Sequence, residues 1–246
     1  MFLIRNLLFM LILGVLTPLY ALIAILSTPF DPRTRHRLVR GWPLIMSWVI
    51  WHVLGIRYRI EGAGNIPAGP AVILAKHMSA WETIVLQAIF PPMVFVLKKE
   101  LHKVPFFGWG ISRMPMIAID RAAGKEALEQ VEAQGRQRLA EGYWVTIFPE
   151  GTRVAPGQKK RYKIGGAWLA AKAGAPVVPV AHNAGEFWGR NSFWKRSGEV
   201  VVSVGPAIDT RGLSPEEVNT RTEAWVEGEM QTRFPHLYKG KAKSAA

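Results

Sequence analysis

The sequence predicts an α/β protein with a mostly parallel sheet flanked by helices on both faces, preceded by an N-terminal apolar two-helix segment. From residue 57 onward, short runs rich in β-branched residues alternate with longer helical patterns, as in sheets built from strand–helix–strand units. Residues 7–26 carry no charged side chain. The chain has 246 residues, which suffices for one large domain with its own core.

The uncharged N-terminal stretch is predicted to be a retained membrane anchor. As a helix, residues 7–26 would be about 30 Å long, which matches the hydrocarbon core of a bilayer. A cleaved signal peptide is the alternative, but Ser27-Thr28-Pro29 is a poor cleavage site,. Arginines follow at positions 33, 35, 37 and 40. Because Lys- and Arg-rich segments next to a membrane helix remain on the cytoplasmic side, we expect the remaining chain at the cytoplasmic face of a bacterial inner membrane.

A second apolar stretch covers residues 42–56 and contains Trp42, Trp48 and Trp51. It is short for a membrane span, and tryptophan favours the bilayer interface. We therefore expect residues 1–56 to form two helices, either a hairpin within one leaflet or one span with one surface helix. An ordinary core helix over 42–56 is the alternative.

Residues 57–238 are predicted to form the main domain, and 239–246 a basic tail. Strands are expected at residues 57–61, 71–75, 93–97, 116–119, 143–148, 177–181 and 200–204. Helices are expected at residues 79–90, 124–140, 164–173 and 215–233,. Active sites of such sheets gather at the carboxyl ends of strands, so the residues that directly follow each strand are the candidates.

The composition excludes several kinds of chemistry. The chain has no cysteine, which excludes disulfides, thiol nucleophiles and Cys-ligated zinc. It contains neither a P-loop nor metal-ligand spacing, so we expect no metal and no bound cofactor. The formal net charge of +13 implies an anionic partner, which is nucleic acid, a membrane surface or an acidic substrate.

The first candidate site follows the strand at 71–75 and contains His77 and Glu82. A carboxylate bonded to one imidazole nitrogen fixes the tautomer and leaves the other nitrogen free as a base. The alternative is a capping box, in which Ser79 and Glu82 only begin the next helix. Both arrangements can coexist. The chain has no serine nucleophile motif, so the attacking hydroxyl should belong to a substrate.

The second candidate site is Phe-Pro-Glu-Gly-Thr-Arg at residues 148–153. Gly151 permits a tight turn, and Arg153 can bind a phosphate or carboxylate in a bidentate manner. A plain turn with a Glu150–Arg153 ion pair is the alternative.

Further basic residues follow other predicted strands. Lys98 and Arg121 stand at such positions and could surround one anion together with Arg153, although solvated surface positions are the alternative. The apolar block 177–180 is predicted to be a buried strand, and His182 to be a hydrogen-bonded histidine without a catalytic role.

Taken together, these segments resemble the lysophosphatidic acid acyltransferase family, the plsC-type glycerolipid acyltransferases. The resemblance covers roughly residues 57–210. Its blocks are the His-x4-acid pair 77–82, the segment from Lys98 to Pro105 with Ile119-Asp120-Arg121, the unchanged 148–153 motif and the block 177–180. The family usually has Asp in place of Glu82 and Asn in place of Lys76.

The resemblance implies that an acyl thioester, either acyl-CoA or acyl-carrier protein, acylates the sn-2 hydroxyl of lysophosphatidic acid. His77 would then be the general base and Glu82 its orienting partner. The residues assigned to substrate binding are Lys98, Arg121, Glu150, Gly151, Thr152 and Arg153. Among these, Glu150 is expected to shape the turn or to pair with a basic neighbour. Backbone N–H groups near Ser79 are the expected oxyanion donors.

Two alternatives remain open from the sequence. The same chemistry could serve another acceptor, such as a lyso-ornithine lipid, glycerol 3-phosphate or another lysophospholipid. A basic binding protein without catalysis is also compatible with the charge. No nucleic-acid partner is expected, since the chain has an apolar anchor and lacks a helix-turn-helix or base-stacking signature. Membrane lipids are the expected surroundings.

Overall fold

The computed structural model describes residues 1–120 and 122–238, and these contain a seven-stranded sheet. The strands are β1 Ile56–Glu61, β2 Val72–Ala75, β3 Met93–Lys98, β4 Ile117–Ile119, β5 Trp144–Ile147, β6 Val177–His182 and β7 Gly198–Val204. Their order across the sheet is β1-β7-β6-β2-β5-β3-β4. Neighbouring strands are parallel except for the antiparallel pair β6 and β7, which confirms the predicted fold class.

Eight α-helices accompany the sheet in the part of the chain described. They are α1 Phe2–Leu26, α2 Pro32–Val39, α3 Gly41–Val49, α4 Trp81–Ile89, α5 Phe107–Ile111, α6 Lys125–Ala140, α7 Gly165–Ala173 and α8 Pro215–Arg233. Helix α3 continues as a π-helical turn, Ile50–Leu54. The sequence predicted α4, α6, α7 and α8 to within a few residues, but neither α2 nor α5.

Strand side chains alternate between hydrophobic clusters on the two faces of the sheet,. In β2, Ile73 packs into one core with residues of α3 and α4. Its neighbours Val72 and Leu74 face the opposite core, which α6 and α7 help to fill. Because both faces are covered there, the central strands β2, β5 and β6 are nearly continuous buried runs, whereas the edge strand β1 carries Arg57, Arg59 and Glu61,.

The N-terminal segment contains three helices rather than the two expected. Asp31 caps an additional helix, because its side chain accepts hydrogen bonds from the backbone N–H groups of Arg33 and Thr34. Pro32 occupies the first turn of α2, where its fixed φ favours helix formation. The cap at Asp31 therefore begins a separate helix, α2, ahead of α3.

Helix α1 is the one helix among the described residues long and apolar enough to cross a membrane. Its outer face is exposed, while Phe9 on the inner face is fully buried in the core beside Met46 of α3. The expected boundary at residue 56 stays a prediction, although α1 and α3 pack into the same core as the sheet.

Candidate active site

The site forms where the neighbouring strands β2 and β5 end. The register pairs Leu74 with Ile147, so the residues that follow both strands emerge side by side. His77 therefore lies against Phe148, with ring centroids 4.1 Å apart and the rings stacked. The backbone N–H of Val154 donates to the carbonyl of His77 over 2.7 Å. These contacts join the two candidate motifs into one site.

His77 and Glu82 form a hydrogen-bonded pair. Nδ1 of His77 lies 2.8 Å from Oε1 of Glu82. The same oxygen accepts the backbone N–H groups of Met78, at 2.8 Å, and Ser79, at 2.7 Å. Glu82 is fully buried, and these three donors hold its carboxylate in one position.

One half of the expected capping box, the hydrogen bond from the N–H of Ser79 to Glu82, coexists with this pair. The hydroxyl of Ser79 accepts the backbone N–H of Trp81, the first residue of α4, over 3.1 Å. Glu82 takes the N–H of Ser79 and the imidazole of His77 on one oxygen. The start of α4 therefore fixes the carboxylate that in turn orients the histidine.

Glu82 remains ionised despite its burial. Desolvation opposes the charged form, but the hydrogen bond from His77 and the surrounding donors outweigh it and lower the pKa of Glu82. An ionised carboxylate requires that Nδ1 of His77 donates the proton of this hydrogen bond. In the neutral ring Nε2 then has a free lone pair, and within the described residues it has no hydrogen-bond partner, as a general base requires.

Three of the backbone N–H groups near Ser79 are already hydrogen-bonded. The N–H groups of Met78 and Ser79 are bonded to Glu82, and that of Trp81 is bonded to Ser79. These three N–H groups are therefore occupied, and the expectation that other backbone N–H groups near this helix start hold the oxyanion stays a prediction.

Cationic side chains share a cavity with the histidine. A cavity of about 520 Å³ is lined by His77, Lys98, Thr152 and Arg153. Arg121 lies outside the described residues, so its expected place beside them stays a prediction. Lys99, the neighbour of Lys98, is instead paired with Asp120, Nζ to Oδ2, at 2.5 Å.

Arg190 is a lining residue that the sequence reasoning missed. Its guanidinium faces the same cavity, and its Nη1 donates to the carbonyl of Arg153 over 3.3 Å. It belongs to a loop after β6 without a recognisable motif. The only sequence signal was the excess of basic residues, which did not single out this position.

Glu150 and Gly151 of the 148–153 motif shape the site without lining the cavity. Gly151 has φ +67°, the left-handed conformation expected of a tight turn. Glu150 is fully buried and does not line the cavity. Its Oε1 lies 3.2 Å from Nζ of Lys76. Glu150 thus pairs with a basic neighbour, and the direct substrate contact assigned to it finds no support.

His182 has the structural role expected of it. Its Nδ1 accepts the backbone N–H of Ala184 at 3.3 Å, and its Nε2 donates to the carbonyl of Lys76 at 2.8 Å. Burial lowers the pKa of His182, so the ring is neutral. It fixes the backbone one residue before His77.

The cavity continues from the polar end into an apolar groove. Its walls are formed by helices α1, α3, α4 and α5 with strand β3. The lining side chains include Thr17, Ala21, Pro43, Ile84, Val96, Leu97, Phe107, Ile111 and Met114. Such a cavity, apolar with a few converging polar groups, is typical of small-molecule sites. The sequence did not predict this groove, because its walls come from distant segments.

Comparison with known proteins identifies the class. The family model described as "Acyltransferase" matches residues 57–183, and these contain the His77–Glu82 pair and the 148–153 motif. The chain belongs to this acyltransferase family, as the sequence resemblance predicted.

Individual relatives extend the similarity beyond the family model. A 1-acyl-sn-glycerol-3-phosphate acyltransferase of Pseudomonas aeruginosa is 44% identical over 237 residues, covering 94% of this chain and 92% of that protein. The human 1-acyl-sn-glycerol-3-phosphate acyltransferase alpha is 29% identical over 177 residues, covering 71% of this chain and 62% of its own.

A solved structure shows the same fold. The crystal structure of the 1-acyl-sn-glycerophosphate acyltransferase PlsC from Thermotoga maritima superimposes with a TM-score of 0.78. The match covers 94% of this chain and 95% of that one, with 23% sequence identity.

Proposed function

We propose that the protein transfers a fatty acyl group from an acyl thioester to the sn-2 hydroxyl of 1-acyl-glycerol-3-phosphate, giving phosphatidic acid. One observation carries this proposal. His77, oriented by Glu82, lines the same cavity as several cationic side chains and an apolar groove. The name of the relative with 44% identity supports the same acceptor.

The reaction begins with proton removal by His77. Nε2 takes the proton of the acceptor hydroxyl while its oxygen attacks the thioester carbonyl, and the thiol leaves with that proton when the tetrahedral intermediate collapses. Glu82 holds the imidazole by Nδ1 and stabilises its charged form,. General base catalysis of this kind contributes about 10²–10⁴-fold.

Positive charge beside the base supports an acceptor that carries a phosphate. Arg153, Lys98 and Arg190 line the polar end of the cavity, and guanidinium groups bind phosphate oxygens in a bidentate manner. Binding the phosphate there places the acceptor hydroxyl near His77, and such positioning lowers the barrier by several kcal/mol.

The groove and the surface charge match the acyl donor. The apolar groove offers space for a fatty acyl chain beside the His77–Glu82 pair. Acyl-CoA and acyl-carrier protein are both anionic, and a chain with net charge +13 attracts either,. We assign the thioester as a co-substrate, with no bound cofactor. Among the described residues, no group of three His, Asp or Glu is placed to hold a metal ion.

The contacts of α1 support attachment to one leaflet rather than a full span. Near its start, the side-chain amide of Asn6 is buried and exchanges hydrogen bonds with the backbone of Lys195. Near its end, Ala21 lies against Gly110 of α5. A helix attached to the domain near both ends lies along it. Because the arginines at positions 33, 35, 37 and 40 follow this helix, we propose the cytoplasmic face of a bacterial inner membrane as the location of the protein.

The first test is His77→Ala, assayed with lysophosphatidic acid and acyl-CoA. We expect kcat to fall about 10²–10⁴-fold with the fold intact, because the base is lost. His236→Ala removes an exposed histidine outside the cavity and serves as the control. Wild-type turnover by His77→Ala would contradict the proposal.

The second test is Arg153→Ala, which should mainly raise the KM for the acceptor, by about tenfold or more, because a charged hydrogen-bond partner of the phosphate is lost. Arg211→Ala is the matched control, since Arg211 is exposed and paired only with Asp209 within the described residues. A panel of acceptors completes the experiment. Preference for an acceptor without phosphate would contradict the role given to these cations.

A further inference from the structure

A cluster of buried charges lies behind the catalytic pair. Lys76, Glu150 and Glu227 are each nearly or fully buried. Nζ of Lys76 lies 2.5 Å from Oε1 of Glu227 and 3.2 Å from Oε1 of Glu150. The hydroxyl of Tyr162 donates to Oε1 of Glu227 over 3.4 Å. Burial of a charged group costs several kcal/mol, so the cluster needs an explanation beyond packing.

The cluster joins three separate parts of the chain. Lys76 directly precedes the base His77, Glu150 belongs to the motif that also contains Arg153, and Glu227 comes from α8. The family model ends at residue 183 and therefore does not include Glu227. The cluster thus connects α8 to both halves of the active site.

The backbone around Lys76 is fixed at the same time. Its N–H donates to the carbonyl of Val180 over 2.9 Å, and its carbonyl accepts Nε2 of His182 at 2.8 Å. Oε1 of Glu150 lies 3.5 Å from the backbone nitrogen of His77. A shift of the Glu150 carboxylate would therefore displace both the backbone of His77 and the turn that carries Arg153.

We propose that Lys76 is a positioning residue, whose buried ammonium, balanced by Glu227, holds the Glu150 turn and the backbone of His77 in register. This inference rests on the proposed acyl transfer. It extends that function by making α8, through one carboxylate, part of the catalytic support.

Charge balance makes the proposal testable. The cluster has one amino group and two carboxyl groups, and burial raises the pKa of Glu150 to about 7 even with Lys76 beside it. Without Lys76, the two carboxylates would repel each other unless protons are taken up. The other titratable side chains that interact with the cluster are Tyr162, His182 and Tyr238, with Glu223 beside Tyr162.

The experiment compares Lys76→Met, Glu227→Gln and the double variant with the wild type. Initial rates with lysophosphatidic acid and acyl-CoA are measured from pH 6 to pH 9, per folded molecule. Lys125→Met is the control, because Lys125 is 90% exposed. We expect kcat of Lys76→Met to fall about tenfold or more, Glu227→Gln to lose less, and the double variant to recover part of the loss.

The pH profile separates positioning from a purely structural role. The ratio of Lys76→Met to wild-type kcat should rise as the pH falls, because protonation replaces the missing ammonium in neutralising the carboxylates. Taking the ratio removes the pH effects that are common to both enzymes. The double variant should show the same trend, so the test stands even if Lys76→Met alone fails to fold.

Two results would overturn the inference. One is wild-type kcat in folded Lys76→Met, with any loss confined to thermal stability. The other is a ratio to wild type that stays constant with pH in both Lys76→Met and the double variant. A wild type that does not acylate lysophosphatidic acid would instead refute the proposed function itself.

Discussion

At the scale of single residues, one carboxylate oxygen of Glu82 fixes the orientation of His77. It receives the imidazole and two backbone N–H groups, so the histidine has one tautomer and one orientation before any substrate arrives. Such preorganisation is what general base catalysis requires. The sequence predicted this pair from the five-residue spacing alone, because a strand end followed by a helix start brings the two side chains together.

Glu82→Gln tests the orienting charge directly. Loss of the carboxylate leaves the charged imidazole without its counter-ion, so we expect kcat to fall about 10²–10⁴-fold with a smaller change in the acceptor KM. Steady-state kinetics on the folded variant give the result. Glu82→Asp keeps the charge with a shorter side chain and should retain more activity. Equal rates for Gln and Asp would show that the charge is unimportant.

At the scale of elements, the groove depends on helix α1. Thr17 of this helix lines the cavity, and its buried hydroxyl has no hydrogen-bond partner among the residues described. An anchor with a purely passive role would have no reason to contact the cavity. The helix was predicted as a membrane element only, because apolar composition does not reveal which of its residues face the protein.

Thr17→Phe should shorten the acyl chains that the enzyme accepts, because the larger side chain fills part of the groove. The measurement is the ratio of kcat/KM for long and short acyl-CoA donors, which we expect to fall severalfold. Val15→Phe, two residues away on the exposed face, is the matched control. An unchanged ratio in Thr17→Phe would place the acyl chain elsewhere.

At the scale of the whole molecule, large apolar side chains are exposed on α1 and on neighbouring helices. The outer face of α1 presents Leu7, Leu11 and Val15, and Trp48 and Trp109 are also exposed. Exposed apolar patches are typical of interaction surfaces and tryptophan favours the bilayer interface, so these residues agree with the proposed membrane attachment. A lipid acceptor could then enter the cavity without crossing water.

Leu11→Lys tests this orientation. Leu11 is 64% exposed on α1, and a lysine facing acyl chains costs about 2.5–3.5 kcal/mol near the bilayer centre and less near the surface. We expect vesicle binding to weaken by about tenfold in a sedimentation assay, while turnover in detergent is retained. Ala133→Lys adds the same charge to the exposed surface of α6. Equal binding by both variants would contradict the proposed membrane face.

The sequence by itself determined the strands, most helices, the dyad and the 148–153 motif, because each depends on local patterns and spacing. Only the tertiary structure revealed Arg190, the groove along α1 and the pairing of Lys76 with Glu227. Those contacts join segments far apart in the chain. Which side chains meet there depends on how the helices pack against the sheet, and no local sequence pattern contains that information.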